Sequence, residues 1–211
     1  MRYSHVLWDW NGTLIDDMEC SLTAVNIMLS KRNKSSITRE QYFEYIDTPI
    51  RRFYENIFDF SEISMTEIME DFNLYYSLHI GEFPLMSGAR EVLEELNKKG
   101  ATQIILSSSS NDIILPFSEK IKVKHFFEHI LGASDSYVNG KIERAVCFIS
   151  DNDINPKSCV LIGDTLHDYE TAAALGCDCI LIPNGHQARA DLIATGAIVA
   201  KDISFVPNLL I

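Results

Sequence analysis

Short, nearly continuous apolar runs alternate along this chain with stretches whose apolar positions recur every three or four residues. The runs YSHVLWD (3–9), ATQIILS (101–107), EHILGAS (128–134), SCVLIGD (158–164), CDCILIP (177–183) and AIVA (197–200) read as buried strands. Between them, SGAREVLEELNKKG ends at Gly100 and TLHDYETAAALG ends at Gly176. Both carry helical spacing and place a glycine where a left-handed residue closes a helix. Strand, helix and strand repeated in this way predict an α/β fold with a parallel sheet covered by helices on both faces.

One segment breaks the alternation. From Asp17 to about Phe83 there is no convincing strand, and four helical signatures take its place. They are DMECSLTAVNIMLSK; TREQYFEYI, with Thr38 and Gln41 spaced as a capping box; TPIRRFYENIF, with Thr48 as N-cap and Pro49 at the first helical position; and SMTEIMEDFNLYYSLHI, with Ser64 and Glu67 as a second box. The pattern predicts a core built from residues 1–16 and 84–211, with a helical subdomain, residues 17–83, inserted after the first strand. Pro84 marks the return to the core.

Composition narrows the partners. The 211 residues are 46% hydrophobic and 23% charged, enough for a proper core. A net charge of −12 argues against nucleic acid or an anionic membrane, because no basic surplus exists to displace counterions. The five cysteines are odd in number and lack a CxxC pair. Cys177 and Cys179 lie two apart in an apolar run, so the thiols read as buried and free, in a reducing cytoplasm. Asp9 interrupts the first apolar run, so no signal peptide is visible, and no run reaches membrane-spanning length. The six histidines show no zinc-binding spacing.

The candidate chemistry sits at strand ends, where parallel α/β sheets bind ligands. Asp9 follows the first strand, Ser107 the second and Asp164 the fourth, while Lys141 lies beyond the third. Asp168 stands four residues past Asp164 in the first turn of the next helix, so both carboxylates can face one cleft. Three converging carboxylates repel one another unless a cation lies among them, and an oxygen-only ligand set suits Mg²⁺. With the lysine and a hydroxyl beside it, such a site can hold a dianionic phosphoryl group for attack by Asp9. Ser107 belongs to a run of four serines, and Ser108 is the alternative hydroxyl.

Asp9-Trp10-Asn11-Gly12-Thr13, Ser107, Lys141 and Gly163-Asp164-Thr165 followed by Asp168 resemble, in order and separation, the four motifs of the haloacid dehalogenase-like hydrolase superfamily. The inserted helices resemble its C1-type cap, as in phosphoglycolate phosphatase and β-phosphoglucomutase relatives. The resemblance implies a Rossmann-like core and a Mg²⁺-dependent phosphatase acting on a small phosphorylated metabolite. It makes Asp9 the nucleophile of an aspartyl-phosphate and gives the metal to the carboxylates of Asp9 and Asp164 and the carbonyl of Asn11. Asp168 then holds metal-bound water, Ser107 binds phosphoryl oxygens, and Lys141 neutralises their charge.

Asn11 departs from that pattern. Phosphatases of the superfamily usually carry a second aspartate there, which protonates the leaving oxygen and later activates water. An amide has no titratable proton near neutrality, and losing acid–base help costs about 10²- to 10⁴-fold in rate. Three readings follow: substrates with good leaving groups such as acyl or aryl phosphates; a proton from His79, His167 or His186; or a phospho-ligand-binding protein with little or no catalysis. The cap arginines, Arg51 and Arg52, read as a solvated face. Substrate and oligomeric state stay open.

Overall fold

The computed structural model describes residues 2–47, 49–133 and 140–210. Its six strands are β1 (His5–Trp8), β2 (Thr102–Ser110), β3 (His129–Ala133), β4 (Cys159–Gly163), β5 (Asp178–Leu181) and β6 (Ile198–Val199). They form one sheet in the order β3-β2-β1-β4-β5-β6, and every pairing is parallel. The order reverses at β1, which lies between β2 and β4, so the crevice of an open α/β sheet falls at the carboxyl ends of β1 and β4.

Alternation along the strands sends side chains to two cores. Val6, Trp8, Ile105, Val160 and Ile162 pack on one face with Leu93 and Leu96 of α5 (Ala89–Lys98) and Phe117 of α6 (Asn111–Lys120). Leu7, Leu106 and Leu161 pack on the other with Ala145 of α7 (Lys141–Asp151) and Leu175 of α8 (Leu166–Leu175). This two-sided burial is why the strands read as unbroken apolar runs. Two short helices, α9 (Arg189–Ala194) and α10 (Val206–Leu209), follow near the carboxyl end.

Between β1 and β2 lie α1 (Met18–Lys31), α2 (Arg39–Tyr45), α3 (Arg51–Glu55) and α4 (Met65–His79). They share their own apolar cluster, which includes Met28, Phe53, Tyr54 and Ile68. Both expected capping boxes form: Thr38 accepts from the Gln41 amide and Ser64 from that of Glu67. The chain leaves and re-enters the core side by side. Ile15 bridges Leu85 in antiparallel fashion, the Asp16 amide donates to the Pro84 carbonyl at 3.1 Å, and the Met86 amide donates to the Leu14 carbonyl at 2.8 Å.

Several local expectations need correction. The second strand does not stop at Ser107 but continues through the serine run to Ser110, with its register against β3 shifting between Leu106 and Ser110. The third helix starts at Arg51, with Ile50 as its cap, so Pro49 precedes the helix; Thr48 and Ser134 lie outside the described residues. Cys147 is exposed, and Cys177 and Cys179 are half-buried; only Cys20 and Cys159 are fully buried. All five thiols are free.

Candidate active site

The carboxyl ends of β1 and β4 hold the carboxylates. Asp9 follows β1, and its amide donates to the Ile162 carbonyl at 2.8 Å, which ties it to the neighbouring strand. Asp164 follows β4. Asp168 is the third residue of α8, where it completes a capping box with Thr165. Oxygens of Asp9, Asp164 and Asp168 lie within 4.8 Å of one another, and all three residues are buried. Lys141 is drawn in between them. Its Nζ donates to Asp9 Oδ1 and to Asp168 Oδ1, both at 2.6 Å, and the residue is 2% exposed. A cation at the first position of a helix opposes the helix dipole; two direct carboxylate contacts outweigh that.

Each carboxylate is held by donors. Asp168 Oδ2 accepts from the Asp164 amide at 3.2 Å, the Thr165 amide at 3.0 Å and Thr165 Oγ1 at 2.6 Å. Asp164 accepts from Thr13 Oγ1 and from the His186 amide, at 2.7 and 2.6 Å. Backbone comes so near that a Cβ at Gly185 would sit 2.0 Å from Asp164 Oδ2. One at Gly12, whose φ is +70°, would sit 2.3 Å away. Only glycine permits this approach.

The electrostatics follow from three buried carboxylates facing one ammonium. Burial pushes Asp9 well above the usual carboxylate range; Lys141 opposes this, while Asp168 and Asp164 add to it. Burial likewise raises Asp164, to about 6, against the pull of His186. Asp168 ends below its ordinary value, because Lys141 and the Thr165 hydroxyl overcome the burial penalty. Burial works against the charge of Lys141, but Asp168 and Asp9 hold it above the ordinary lysine value. A hard, oxygen-only donor set with surplus negative charge has the chemistry of a divalent-cation site and fits Mg²⁺.

Asn11 faces a second network, joined to the acidic cluster through His186, that the sequence did not reveal. Its Nδ2 donates to Asp17 Oδ2 and contacts Tyr76 Oη, each at 2.6 Å, and its Oδ1 accepts from Ser109 Oγ at 2.6 Å. Tyr76 Oη donates to Asp17 Oδ2 at 2.5 Å, and the Gly12 amide donates to Asp17 Oδ1 at 2.7 Å. His186 joins through Nε2, 3.3 Å from Asp17 Oδ1, and its Nδ1 lies 2.9 Å from Tyr42 Oη. Burial alone would lower the pKa of His186, but Asp17 and then Asp164 raise it to about 9. Asp17 in turn stays below its ordinary value despite burial, because His186, Tyr76 and Asn11 all favour its charged form.

These groups border one cavity of about 500 Å³. Asp9, Asn11, Ser107, Ser108 and Lys141 line it, with His167 and His186; Asp164 and Asp168 lie behind this surface. Ser107 is buried, and its Oγ accepts the Ser109 amide at 3.0 Å, while Ser108 is half-buried. His79 ends α4 and is not among the lining residues. The inserted segment contributes Val25, Tyr42, Ile50, Phe53, Met69 and Phe72 to the lining. Arg51 and Arg52 are exposed and pair with Glu55 and Asp47.

A family model described as haloacid dehalogenase-like hydrolase matches residues 6–182. The chain is 24% identical over 190 residues to a phosphoglycolate phosphatase of Pseudomonas fluorescens, covering 86% of this chain and 70% of that protein. It is 22% identical over 196 residues to a 5'-nucleotidase of Pseudomonas aeruginosa, covering 92% and 89%. Among solved structures, a haloacid dehalogenase-like hydrolase from Streptococcus pneumoniae matches with a TM-score of 0.85 at 19% identity, covering 99% of both chains. CbbY from Rhodobacter sphaeroides, solved with phosphate, matches at 0.77 and 16% identity, covering 96% of this chain and 95% of its own. These two likenesses establish the Rossmann-like α/β fold.

Proposed function

We propose that this chain, which belongs to the haloacid dehalogenase-like hydrolase family, is a Mg²⁺-dependent phosphatase of a small phosphorylated metabolite, working through an aspartyl-phosphate on Asp9. The observation that carries this reading is the position of Asp9. It is a buried carboxylate at the strand-order reversal that opens onto a cavity and shares its cluster with two further carboxylates and Lys141. The phosphatase and nucleotidase relatives point the same way.

In this reading Asp9, Asp164 and the main-chain carbonyl of Asn11 would hold Mg²⁺, with Asp168 orienting metal-bound water. When bound, the ion supplies positive charge to the carboxylates and the phosphoryl oxygens. The chain's own groups do the rest. An Asp9 oxygen attacks phosphorus, which splits one hard displacement into two easier ones. Lys141, fixed by Asp9 and Asp168, faces the charge that develops on the equatorial oxygens, and Ser107 or Ser108 with nearby amides binds those oxygens. Residues 17–83 form the cap, which excludes water and selects the substrate. Five free thiols and an acidic surface support a reducing, cytoplasmic setting without nucleic-acid partners; no helix among the described residues is long and apolar enough to cross a membrane.

The locked amide of Asn11 favours a second reading, a phospho-ligand-binding protein with little turnover. Phosphate release from 4-nitrophenyl phosphate with and without Mg²⁺, on the wild type beside Asp9→Asn, separates the two. The phosphatase reading expects Mg²⁺-dependent release that falls by about 10³-fold or more in the variant. Release that ignores both changes would overturn it.

A further inference from the structure

Resting on the phosphatase reading above, we infer that the substrate is an aryl phosphate, whose phenolic oxygen departs unprotonated while its ring lies against the apolar wall of the inserted helices. Two observations lead there independently.

The first concerns protons. Both hydrogens of the Asn11 amide are directed at Asp17 and Tyr76, and its oxygen accepts from Ser109, so the group neither carries nor relays a proton. His186 has both ring nitrogens engaged, one by Tyr42 and one by Asp17. His167 leans toward Glu170 on its own helix, with Nδ1 3.6 Å from the carboxylate. An ester whose alcohol must be protonated as it leaves therefore gets no proton from the amide at position 11 and meets no unengaged nitrogen on His186. Esters of acidic hydroxyls do not need a general acid.

The second concerns the wall. Val25, Tyr42, Ile50, Phe53, Met69 and Phe72 line the same cavity as Asp9, and no lysine or arginine of the inserted segment is among the described residues lining it. Ser21, Asp47, Asn73 and the tyrosines Tyr42, Tyr54 and Tyr76 bring the polar groups of that segment to the cavity, and Asp47 is the acid among them. A substrate bearing a second anionic group, as phosphoglycolate bears a carboxylate beside its phosphoryl group, would have to desolvate that charge against this wall with no lysine or arginine there to pair with it. An aromatic ring instead meets rings and methyl groups, and about 500 Å³ accommodates it with its phosphoryl group. Among the esters of acidic hydroxyls, this wall selects the aryl ones.

The chemistry balances without a further reactant. A carboxylate oxygen of Asp9 bonds to phosphorus as the phosphorus–oxygen bond to the ring breaks, and the electron pair leaves on the phenolate. Water then attacks the aspartyl-phosphate phosphorus, the bond to Asp9 breaks, both protons of the water end on the released phosphate, and the carboxylate is restored.

Steady-state rates of the Mg²⁺-loaded full chain with 4-nitrophenyl phosphate, phenyl phosphate and phosphoglycolate test this, together with acetyl phosphate as a phosphoryl donor followed by mass spectrometry of the Asp9 peptide. The expected result has two parts. The kcat/KM, which reports the first step alone, should fall about tenfold or more from the nitrophenyl to the phenyl ester, and KM for either aryl ester should be about tenfold or more below that for phosphoglycolate. Asn11→Asp, where it folds, should narrow the first gap and leave the second. Phosphoglycolate turned over as efficiently as the nitrophenyl ester, or a kcat/KM indifferent to the leaving group, would overturn the inference and leave the phosphatase reading standing. Asp9 labelled by acetyl phosphate with no aryl turnover would do the same. No label and no turnover of any ester would sink both.

Discussion

At position 11 an amide stands where a buried carboxylate, a phenol and a serine hydroxyl all converge on it. A carboxylate there would face Asp17 Oδ2 at the 2.6 Å now spanned by an N–H donor, and two such groups cannot both stay charged. Asn11→Asp should therefore lose about 1–3 kcal/mol of stability in urea unfolding. Asp17→Asn in the same chain should recover part of that loss, because the two sites are in contact. The neighbouring His186 gives a pH signature. Its folded pKa, about 9, stands above its ordinary value of 6.5, so its stabilisation is complete below the unfolded pKa and is lost as pH rises through about 9. The loss is on the order of 3 kcal/mol. Thermal unfolding of the metal-free protein across that window, beside His186→Gln, checks it: the two curves should converge at alkaline pH. Asp9 and Asp164 were legible in the sequence because each closes an apolar run. Asp17 was not. It belongs to an acidic pair in which Asp16 is exposed and Asp17 wholly buried, and only the folded turn tells them apart.

The elements tell a similar story. Both capping boxes of the insertion and all six strands could be read from local patterns, because each rests on contacts within a few residues or on burial of a whole run. The extension of β2 through Ser108, Ser109 and Ser110 could not, since four serines have the composition of a loop and become strand only by pairing with β3. Pro116 likewise hides α6, which carries it inside the helix. At the start of α8 the capping box is shared with the acidic cluster: Thr165 Oγ1 donates to Asp168 Oδ2, and the Asp168 amide returns a bond at 3.4 Å. Thr165→Ala should cost about 1 kcal/mol as a lost cap. It should also raise the Mg²⁺ concentration needed to stabilise the fold, because Asp168 loses a donor that holds it in place; differential scanning calorimetry at graded Mg²⁺ measures both effects. A loss of stability with unchanged Mg²⁺ dependence would confine Thr165 to capping.

At the scale of the whole molecule, three carboxylates and one ammonium buried together leave the metal-free protein with charge it must accommodate by protonation. Mg²⁺ at a hundred times its dissociation constant should add about 2.7 kcal/mol to the unfolding free energy. Asp164→Asn should abolish that increment, and a variant that kept it would place the ion elsewhere. The division of labour between a polar floor and an apolar wall has a structural root in the junction at Ile15 and Leu85, where the outgoing and returning segments run together. Because those segments are hydrogen-bonded neighbours, residues from one splice point to the other make a cassette whose ends already meet, and on the selecting role proposed for it, exchanging it between relatives should move substrate preference with it. Cys20, Ala24, Tyr76 and Ile80 reach from the cassette into the larger apolar cluster. A successful chimaera must bring its own plugs for those four sockets, and simple deletion would leave them open to water.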